Sequence, residues 1–221
     1  GAPSCSSSSA RDGILGEDEG HREPGGSVND ATLTIRDHLT SLADLSVLVS
    51  DEMSEDIAAL AALVLSTVEA GGKIMFCGNG GSAANAQHLA TEYVVRFARE
   101  RRAVAALALT TDTSLLTAGA NDYGFDTIFS RQIEALGRPG DILVLHSTSG
   151  ESENLIAAVE AAKVLDIRTV ALLAKGGGRL KSVVDQALVV PTQSTARAQE
   201  LHLAIGHIVC EIVDKAVAGD S

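Results

Sequence analysis

The segment KIMFCGNGGSAANAQHLATEY, residues 73–93, joins a short apolar run to a helical pattern through the glycine-rich turn CGNGGSA at 77–83. Glycines at this point let the backbone approach an anion, and the free N–H groups of the following helix attract negative charge. A tight turn that holds no ligand would contain the same glycines. The turn therefore predicts a strand followed by a helix, and it marks one place where a phosphate could bind.

The same alternation continues towards the C-terminus. Four more short apolar runs, separated by stretches with helical spacing, lie at 103–109, 141–147, 169–174 and 186–191. Together with the run at 73–77 they predict five parallel strands in a doubly wound α/β sheet. Ligands of such sheets bind at the carboxyl ends of the strands, so we expect the chemistry in the loops after Cys77, Leu109 and Ser147.

Helical patterns flank this alternating region on both sides. From Asn29 to Ala70, apolar residues recur at spacings of three and four. The prediction of a pair of amphipathic helices rests on two such stretches, LTIRDHLTSLADLSVLVS and IAALAALVLSTVEA. Gly71 and Gly72 are expected to end the second helix. One long C-terminal helix with a Ser cap is predicted by the stretch STARAQELHLAIGHIVCEIVDKAV.

The chain has 221 residues, 45% of them apolar, which is enough for the core of one domain. Residues 1–28 are rich in Ser, Gly and acidic residues without a sustained apolar period, and we expect a disordered linker or tail there. The folded domain is expected at 29–221. Because the first residue is Gly rather than Met, the sequence is compatible with an upstream segment that has been removed.

Charge and cysteine content exclude some classes of partner. The formal net charge of −12 would repel nucleic acid and anionic membranes, although a few backbone amides could still hold a small anion. No apolar run approaches the length of a membrane span, and the N-terminus lacks a signal-peptide pattern. The three cysteines, Cys5, Cys77 and Cys210, form neither a disulfide framework nor a metal motif. We therefore expect a cytoplasmic protein that binds neither nucleic acid nor membranes.

A second candidate anion site is STSGESEN, residues 147–154, after the third predicted strand. Four hydroxyls surround Gly150, and helix capping needs only one of them. They belong to Ser147, Thr148, Ser149 and Ser152. Clustered hydroxyls beside helix-terminal amides predict a cradle for a phosphate group.

The turn GNGGSA also matches a dinucleotide-binding fingerprint, G-x-G-x-x-A, which represents the main alternative class of enzyme. That interpretation requires an acidic residue about 20 positions further on, at the end of the second strand. Glu92 and Glu100 fall in or just after the predicted helix, and Asp112 comes too late in the chain. The acidic residues therefore disfavour a dinucleotide site.

Histidine and glutamate side chains could supply the chemistry. His88 and Glu92 lie four apart on one helix face, and Gln199 and His207 lie eight apart on one face of the C-terminal helix. Two imidazoles, a carboxylate and an amide oxygen suit a divalent metal such as zinc, and His with Glu also suits acid–base catalysis. Taken singly, His88 is more simply explained as a partly buried histidine and Glu92 as a solvated charge. The spacing alone does not establish a metal site.

Four segments together carry a resemblance to a known family. They are CGNGGSAANAQHLATEY (77–93), ANDYGFDTIFSRQIEALGRPGD (120–141), STSGESEN (147–154) and RAQELHLAIGH (197–207). In this order they resemble the phosphoheptose isomerases of the sugar isomerase (SIS) superfamily, over nearly all of residues 30–218. The resemblance implies a homotetramer of subunits with five-stranded parallel sheets and with active sites between subunits. It also implies a ketose phosphate substrate such as sedoheptulose 7-phosphate.

The resemblance further implies roles for individual residues. Glu92 matches the catalytic base and His207 the catalytic acid of an aldose–ketose isomerase that works through an enediolate. Substrate-binding positions of the family match Asn79, Ser82, Asp112, Ser147, Thr148, Ser149, Ser152 and Gln199. The zinc ligands of some members match His88, Glu92, Gln199 and His207. If Glu92 binds zinc strongly, its freedom to remove a proton is reduced.

Some relatives within the superfamily are non-catalytic adaptors that bind a replication initiator, and AANAQH at 83–88 resembles their sequences as much as those of the enzymes. That group lacks equivalents of Glu92 and His207, so the presence of both residues favours the enzyme. We therefore expect an aldose–ketose isomerase that acts on a sugar phosphate of seven or eight carbons.

Overall fold

The chain folds around a five-stranded parallel sheet in the computed structural model, which describes residues 28–219. Its strands are β1 (Ile74–Gly78), β2 (Ala106–Ala108), β3 (Ile142–His146), β4 (Arg168–Leu173) and β5 (Gln186–Val189). Their order across the sheet is β2-β1-β3-β4-β5, which confirms the predicted doubly wound α/β class. The predicted tail at 1–28, apart from Val28, lies outside the described residues.

Helices cover both faces of the sheet. Those of the described residues are α1 (Val28–Glu69), α2 (Gly81–Val94), α3 (Thr113–Tyr123), α4 (Ser130–Leu136), α5 (Glu153–Val164), α6 (Leu180–Val183) and α7 (Thr195–Gly219). One apolar core lies between the sheet and α1, α2 and α7, and it includes Val64 and Leu89. A second core on the other face includes Phe129 and Leu155. The predicted long C-terminal helix is α7, and Ser194 caps it as expected.

The N-terminal helix pair is the one correction to the predicted architecture, because α1 is a single continuous helix of 42 residues. The segment DEMSED at 51–56, which separates the two apolar stretches, contains neither Gly nor Pro, and its Met53 is buried. Nothing in this segment interrupts the helical hydrogen bonds, and burial of the methionine favours their continuation. The helix ends where the sequence predicted, just before Gly71.

Contacts divide the chain into two compact units, residues 1–39 and residues 40–221. The described part of the first unit is the beginning of α1, and its side chains are exposed. The second unit contains the remainder of α1, the sheet and the other helices. Among residues 28–219, no helix is both long and apolar enough to cross a membrane.

The middle of the sheet positions the two candidate anion loops. β1 and β3 are neighbours, with Ile74 opposite Ile142 and Gly78 opposite His146. β2 lies on one side of β1, and β3 lies on the other side. The connections that follow β1 and β3 therefore run in opposite directions across the sheet, and a crevice lies between the two loops. The glycine turn follows β1 and the STSGESEN loop follows β3. The fold therefore brings both loops to one edge of the sheet, as predicted.

Candidate active site

A pair of amide side chains ties the two loops together. Asn79, in the turn after β1, and Asn154, at the start of α5, each donate Nδ2–H to the other's Oδ1 at 2.9 Å. Asn154 is buried, which shields this double hydrogen bond from water. Asn79 is among the site residues predicted from the sequence, whereas Asn154 is not. The available signal was the position of Asn154 directly after the hydroxyl cluster.

A pocket opens between the loops. Its lining consists of Asn79, Ser82, His146, Ser147, Thr148, Ser149, Ser152, Leu155 and Gln199. It therefore unites every predicted substrate residue except Asp112. Residues 147–152, which we call the hydroxyl loop, contribute four hydroxyl groups to it. Because Ser82 and Ser147 are buried and the other hydroxyls are half-buried, these groups form a concave polar surface.

Two hydroxyls accept hydrogen bonds that shape the hydroxyl loop, and their O–H groups can still donate to a ligand. Ser147 Oγ accepts a hydrogen bond from Gly150 N at 3.0 Å, and Ser149 Oγ accepts one from Glu151 N at 3.3 Å. Ser152 precedes α5, but its side chain makes no capping hydrogen bond to that helix. Its hydroxyl and the first N–H groups of α5 are therefore available to an anion.

A second glycine-rich segment supports the hydroxyl loop. Gly150 has a φ of 71°, and a Cβ on it would lie 2.0 Å from the carbonyl oxygen of Gly177, so only glycine fits. Leu180 N donates a hydrogen bond to Gly150 O at 3.0 Å. The supporting segment, KGGGR at 175–179, was not identified from the sequence. It fixes the position of the hydroxyl loop above the sheet edge.

Asp112 is the predicted substrate residue that does not line the pocket. Its carboxylate accepts a hydrogen bond from Leu115 N at 2.9 Å and thereby caps α3. The side chain is exposed just after β2. A sugar contact by Asp112 stays a prediction.

His88, Glu92 and His207 form a compact triad where α2 and α7 meet. His88 Nε2 lies 2.8 Å from His207 Nε2 and 3.3 Å from Glu92 Oε1. The ring of Phe97 lies 5.5 Å from the His207 ring and borders the triad. Spacing along α2 accounts for the pairing of His88 with Glu92, and packing of α7 adds His207.

A glycine next to His207 lets the two helices approach closely. A Cβ on Gly206 would lie 2.5 Å from Leu89 Cδ1, so a larger residue would push α7 away from α2. Leu89 follows His88 in the sequence, and Gly206 precedes His207. This close contact therefore brings the two imidazoles within reach of each other.

The triad fits a divalent cation. Its three candidate ligand atoms all lie within 4.8 Å of one another. Two ε nitrogens at 2.8 Å must share a proton when no ion is bound, whereas a cation would accept a lone pair from each. Two histidines and one glutamate, with a coordination position left open, form a recurrent ligand set of catalytic zinc.

The environment of His207 suits this role. Burial lowers the pKa of His207 and nearby His88 lowers it further, against the opposing effect of the Glu92 carboxylate. His207 is therefore neutral at pH 7. A neutral imidazole can bind a metal through one nitrogen and donate an N–H bond through the other.

Gln199 borders the pocket. It lies on α7, eight residues before His207, and its main-chain carbonyl oxygen accepts a hydrogen bond from Asn85 Nδ2 at 3.0 Å. Its side chain shares the pocket lining with the hydroxyl loop. The structure thus groups Gln199 with the predicted substrate residues, and its part as a fourth metal ligand stays a prediction.

Two buried histidines beside the pocket were not predicted as part of the site. The rings of His146 and His202 lie 6.1 Å apart. His202 Nε2 hydrogen-bonds Leu173 O at 3.0 Å, whereas within residues 28–219 neither ring nitrogen of His146 has a partner. Burial lowers the pKa of His146 to about 3, with a smaller contribution from His202. His146 is therefore neutral in the folded protein.

Comparisons with known proteins show the family of this chain. The family model of the SIS domain matches residues 38–174. The phosphoheptose isomerase of Akkermansia muciniphila is 51% identical over 186 residues, which cover 84% of this chain and 97% of that protein. The phosphoheptose isomerase of Roseiflexus sp. is 47% identical, again over 84% of this chain, and 94% of its own length is covered.

Solved structures share the fold at similar coverage. The phosphoheptose isomerase of Neisseria gonorrhoeae superposes with a TM-score of 0.80 at 42% identity, over 84% of this chain and 99% of that chain. The Francisella tularensis phosphoheptose isomerase gives a TM-score of 0.81 at 37% identity, over 84% and 98%. The chain therefore belongs to the SIS domain family and, within it, to the phosphoheptose isomerases, a group of sugar-phosphate isomerase enzymes.

Proposed function

We propose that this enzyme converts sedoheptulose 7-phosphate, or a similar ketose phosphate of seven or eight carbons, to the aldose phosphate through an enediolate. The proposal rests mainly on one observation: α2 contributes both to the hydroxyl-lined pocket, through Ser82, and to the triad of His88, Glu92 and His207. The pocket suits a phosphate, and the triad suits proton transfer. The names of the relatives, phosphoheptose isomerases, support the substrate class.

The separation of the two ends suits a long sugar. Ser82 in the pocket and His88 in the triad are six residues apart on α2, a rise of about 9 Å. An extended seven-carbon chain spans roughly 8 Å, given C–C bonds of about 1.5 Å. A sugar with its phosphate in the pocket could therefore reach the triad with its first two carbons.

Each part of the site then has a separate task. The hydroxyl loop and the N–H groups of α5 hold the phosphate, and this grip supplies binding energy that positions the reacting carbons. Glu92 removes the proton from C1 of the ring-opened ketose and returns it at C2. His207 exchanges protons with the oxygens O1 and O2.

We further propose that the triad holds zinc, with Gln199 as a fourth ligand. When bound, zinc would stabilise the negative charge that develops on O1 and O2. The support is the chemistry of the donor set and the short distances between the ligand atoms of His88, Glu92 and His207. Glu92 would help to hold the ion as well as transfer the proton, and the positive charge of the ion would reduce the basicity of the carboxylate.

A homotetramer with active sites at subunit interfaces is part of the proposal. Ile208 and Ile212, which are 47% and 40% exposed, lie beyond His207 on α7 and line an apolar groove with Val49 and Ile57 of α1. A second chain in this groove would cover the isoleucines and lie close to the triad. Light scattering should give a mass near four times 22.7 kDa, and Ile212→Asp should lower both this mass and the activity. A fully active monomer would contradict the assembly.

A cytoplasmic location, with neither nucleic acid nor membrane as a partner, completes the proposal. Cys77 and Cys210 are free and buried, as expected of a reducing compartment. Burial raises the pKa of the Cys210 thiol to about 12, which keeps it unreactive. The net charge of −12 opposes binding to phosphate-rich surfaces.

An NMR assay of ketose-to-aldose conversion tests the activity. The purified protein with zinc should convert seven- or eight-carbon ketose phosphates faster than six-carbon ones. The same sugars without phosphate serve as the matched control and should react poorly, because they lose the grip of the hydroxyl loop. Absence of aldose formation from every sugar phosphate in this range would contradict the proposed function.

A further inference from the structure

A buried ion pair joins the end of α2 to α7. Arg101 Nε donates to Asp214 Oδ1 at 2.7 Å, and the two side chains are 2% and 0% exposed. The other carboxylate oxygen, Oδ2, accepts hydrogen bonds from Ala98 N at 3.2 Å and Arg99 N at 2.8 Å. Both oxygens of Asp214 are therefore engaged, and the segment after α2 is anchored to α7.

The guanidinium group of Arg101 also caps α2. The last carbonyl groups of a helix have no partner within it. Arg101 donates to Glu92 O at 2.8 Å and to Tyr93 O at 3.0 Å, both in the final turn of α2. Its positive charge faces the negative end of the helix dipole. Arg101 therefore fixes the turn of α2 that carries Glu92.

The same ion pair fixes the relation between α2 and α7. Asp214 follows His207 by seven residues, nearly two helical turns, so both project from one face of α7. The two helices are thus joined twice, once through the triad and once through Arg101 and Asp214. A rotation of either helix would disturb both connections together.

A buried ion pair such as that of Arg101 and Asp214 is weakly explained by its contribution to the free energy of unfolding. Burial alone would raise the pKa of Asp214, but the hydrogen bonds from Arg101, Ala98 and Arg99 hold it below its ordinary value. The carboxylate therefore stays charged inside the protein. Well-packed apolar residues often stabilise a fold as much as a buried ion pair does. Orientation of Glu92 supplies a further reason for a pair that binds the Glu92 carbonyl.

We propose that Arg101, held by Asp214, is a positioning residue that sets the backbone of α2 at Glu92, so that the carboxylate meets His88 and His207 in a fixed geometry. The catalytic consequence rests on the proposed isomerase function. The consequence for zinc binding rests on the geometry of the triad.

The chain offers a matched control for this ion pair. Asp141, which is 4% exposed, accepts hydrogen bonds from the N–H groups of Lys73 and Arg138 and from Lys73 Nζ. It thus resembles Asp214, with two backbone donors and one cationic partner. Asp141 precedes β3, at the opposite edge of the sheet from the pocket. Asp214→Asn and Asp141→Asn therefore remove equivalent charges near to the triad and far from it.

The experiment compares both variants with the parent in melting temperature, kcat, KM and the affinity of the metal-free protein for Zn²⁺ by calorimetry. We expect both variants to melt at lower temperature. Asp214→Asn should lower kcat and Zn²⁺ affinity on the order of 10- to 100-fold, with KM nearly unchanged. Asp141→Asn should leave kcat and Zn²⁺ affinity within about twofold of the parent, because the hydrogen-bond partners of its carboxylate, Lys73 and Arg138, lie outside α2 and α7.

Arg101→Lys keeps a cation beside Asp214 but loses the planar fork that reaches the Glu92 carbonyl. Like Asp214→Asn, it should lower both kcat and Zn²⁺ affinity. If Asp214→Asn does not fold, Arg101→Lys alone tests the positioning role. Parental kcat and Zn²⁺ affinity in Arg101→Lys would overturn the proposal, as would equal losses in the two Asp→Asn variants. If the parent isomerises no sugar phosphate, the proposed function fails, while Zn²⁺ affinity still tests the positioning role.

Discussion

The hydroxyl loop and the triad are built in different ways. The hydroxyl loop combines backbone N–H groups with short side chains at the end of β3. In the proposed function several of these groups would therefore share one phosphate. The triad uses three side chains on the faces of α2 and α7, and in the proposed function each would have its own chemical task. We therefore expect single substitutions to have small effects at the loop and large effects at the triad.

The largest expected effect is that of Glu92→Gln. The amide keeps the shape of the carboxylate but cannot accept the C1 proton, and loss of a general base should lower kcat on the order of 100-fold or more. Steady-state kinetics with sedoheptulose 7-phosphate would measure it. Glu134→Gln, on the exposed side of α4, is the matched control and should behave as the parent. If kcat of Glu92→Gln were within a few-fold of the parent value, the expected difference between the triad and the hydroxyl loop would be contradicted.

A second prediction concerns acid sensitivity beside the pocket. The pKa of His146 is about 3 when folded and about 6.5 when unfolded, so the unfolded chain binds more protons between these values. The contribution of neutral His146 to the free energy of unfolding is therefore complete above pH 6.5, and it is lost as the pH decreases towards 3. Between pH 7.5 and pH 5, His146 should account for a loss of about 2 kcal/mol in the free energy of unfolding.

Denaturant titrations at several pH values would measure this loss. The lowered pKa values of His202 and His207 add to it in the same direction. His146→Leu should remove the part due to His146. A His146→Leu variant with the pH dependence of the parent would show that the buried imidazole does not control acid stability.

The smallest expected effect is at the hydroxyl loop. Ser149→Ala removes one hydrogen bond to a charged phosphate, and with about 1.5 kcal/mol lost KM should rise about tenfold while kcat changes little. Ser66→Ala, on the exposed surface of α1 and away from the hydroxyl loop, serves as the control. Calorimetry in which the parent binds phosphorylated and neutral sugar equally would contradict a phosphate grip. A kcat loss as large as that of Glu92→Gln would instead show that the loop takes part in the chemistry.

Local patterns in the sequence predicted most of the fold. Apolar runs and their spacing identified the five strands, and the sheet order places the loops after Cys77 and Ser147 side by side as expected. The continuity of α1 could not be deduced from periodicity alone. Burial of Met53, which is a property of the packed structure, favours this continuity.

The site was predictable where the residues concerned are close in sequence or match a family motif. His88 and Glu92 share a helix face, and the hydroxyl loop is one short segment. Contacts between distant positions carried no such signal. The contact of Gly206 with Leu89 and the ion pair of Arg101 with Asp214, 113 residues away, arise only when α7 packs against α2.

The most direct test of the proposed chemistry is isomerisation of sedoheptulose 7-phosphate in D₂O, followed by NMR over many turnovers. If Glu92 transfers the proton through an enediolate, the carboxyl group exchanges with solvent, and deuterium should appear at C2 of the aldose and at C1 of the recovered ketose. Aldose formed without any deuterium would show direct hydride transfer between the two carbons and would contradict the role of Glu92 as the base.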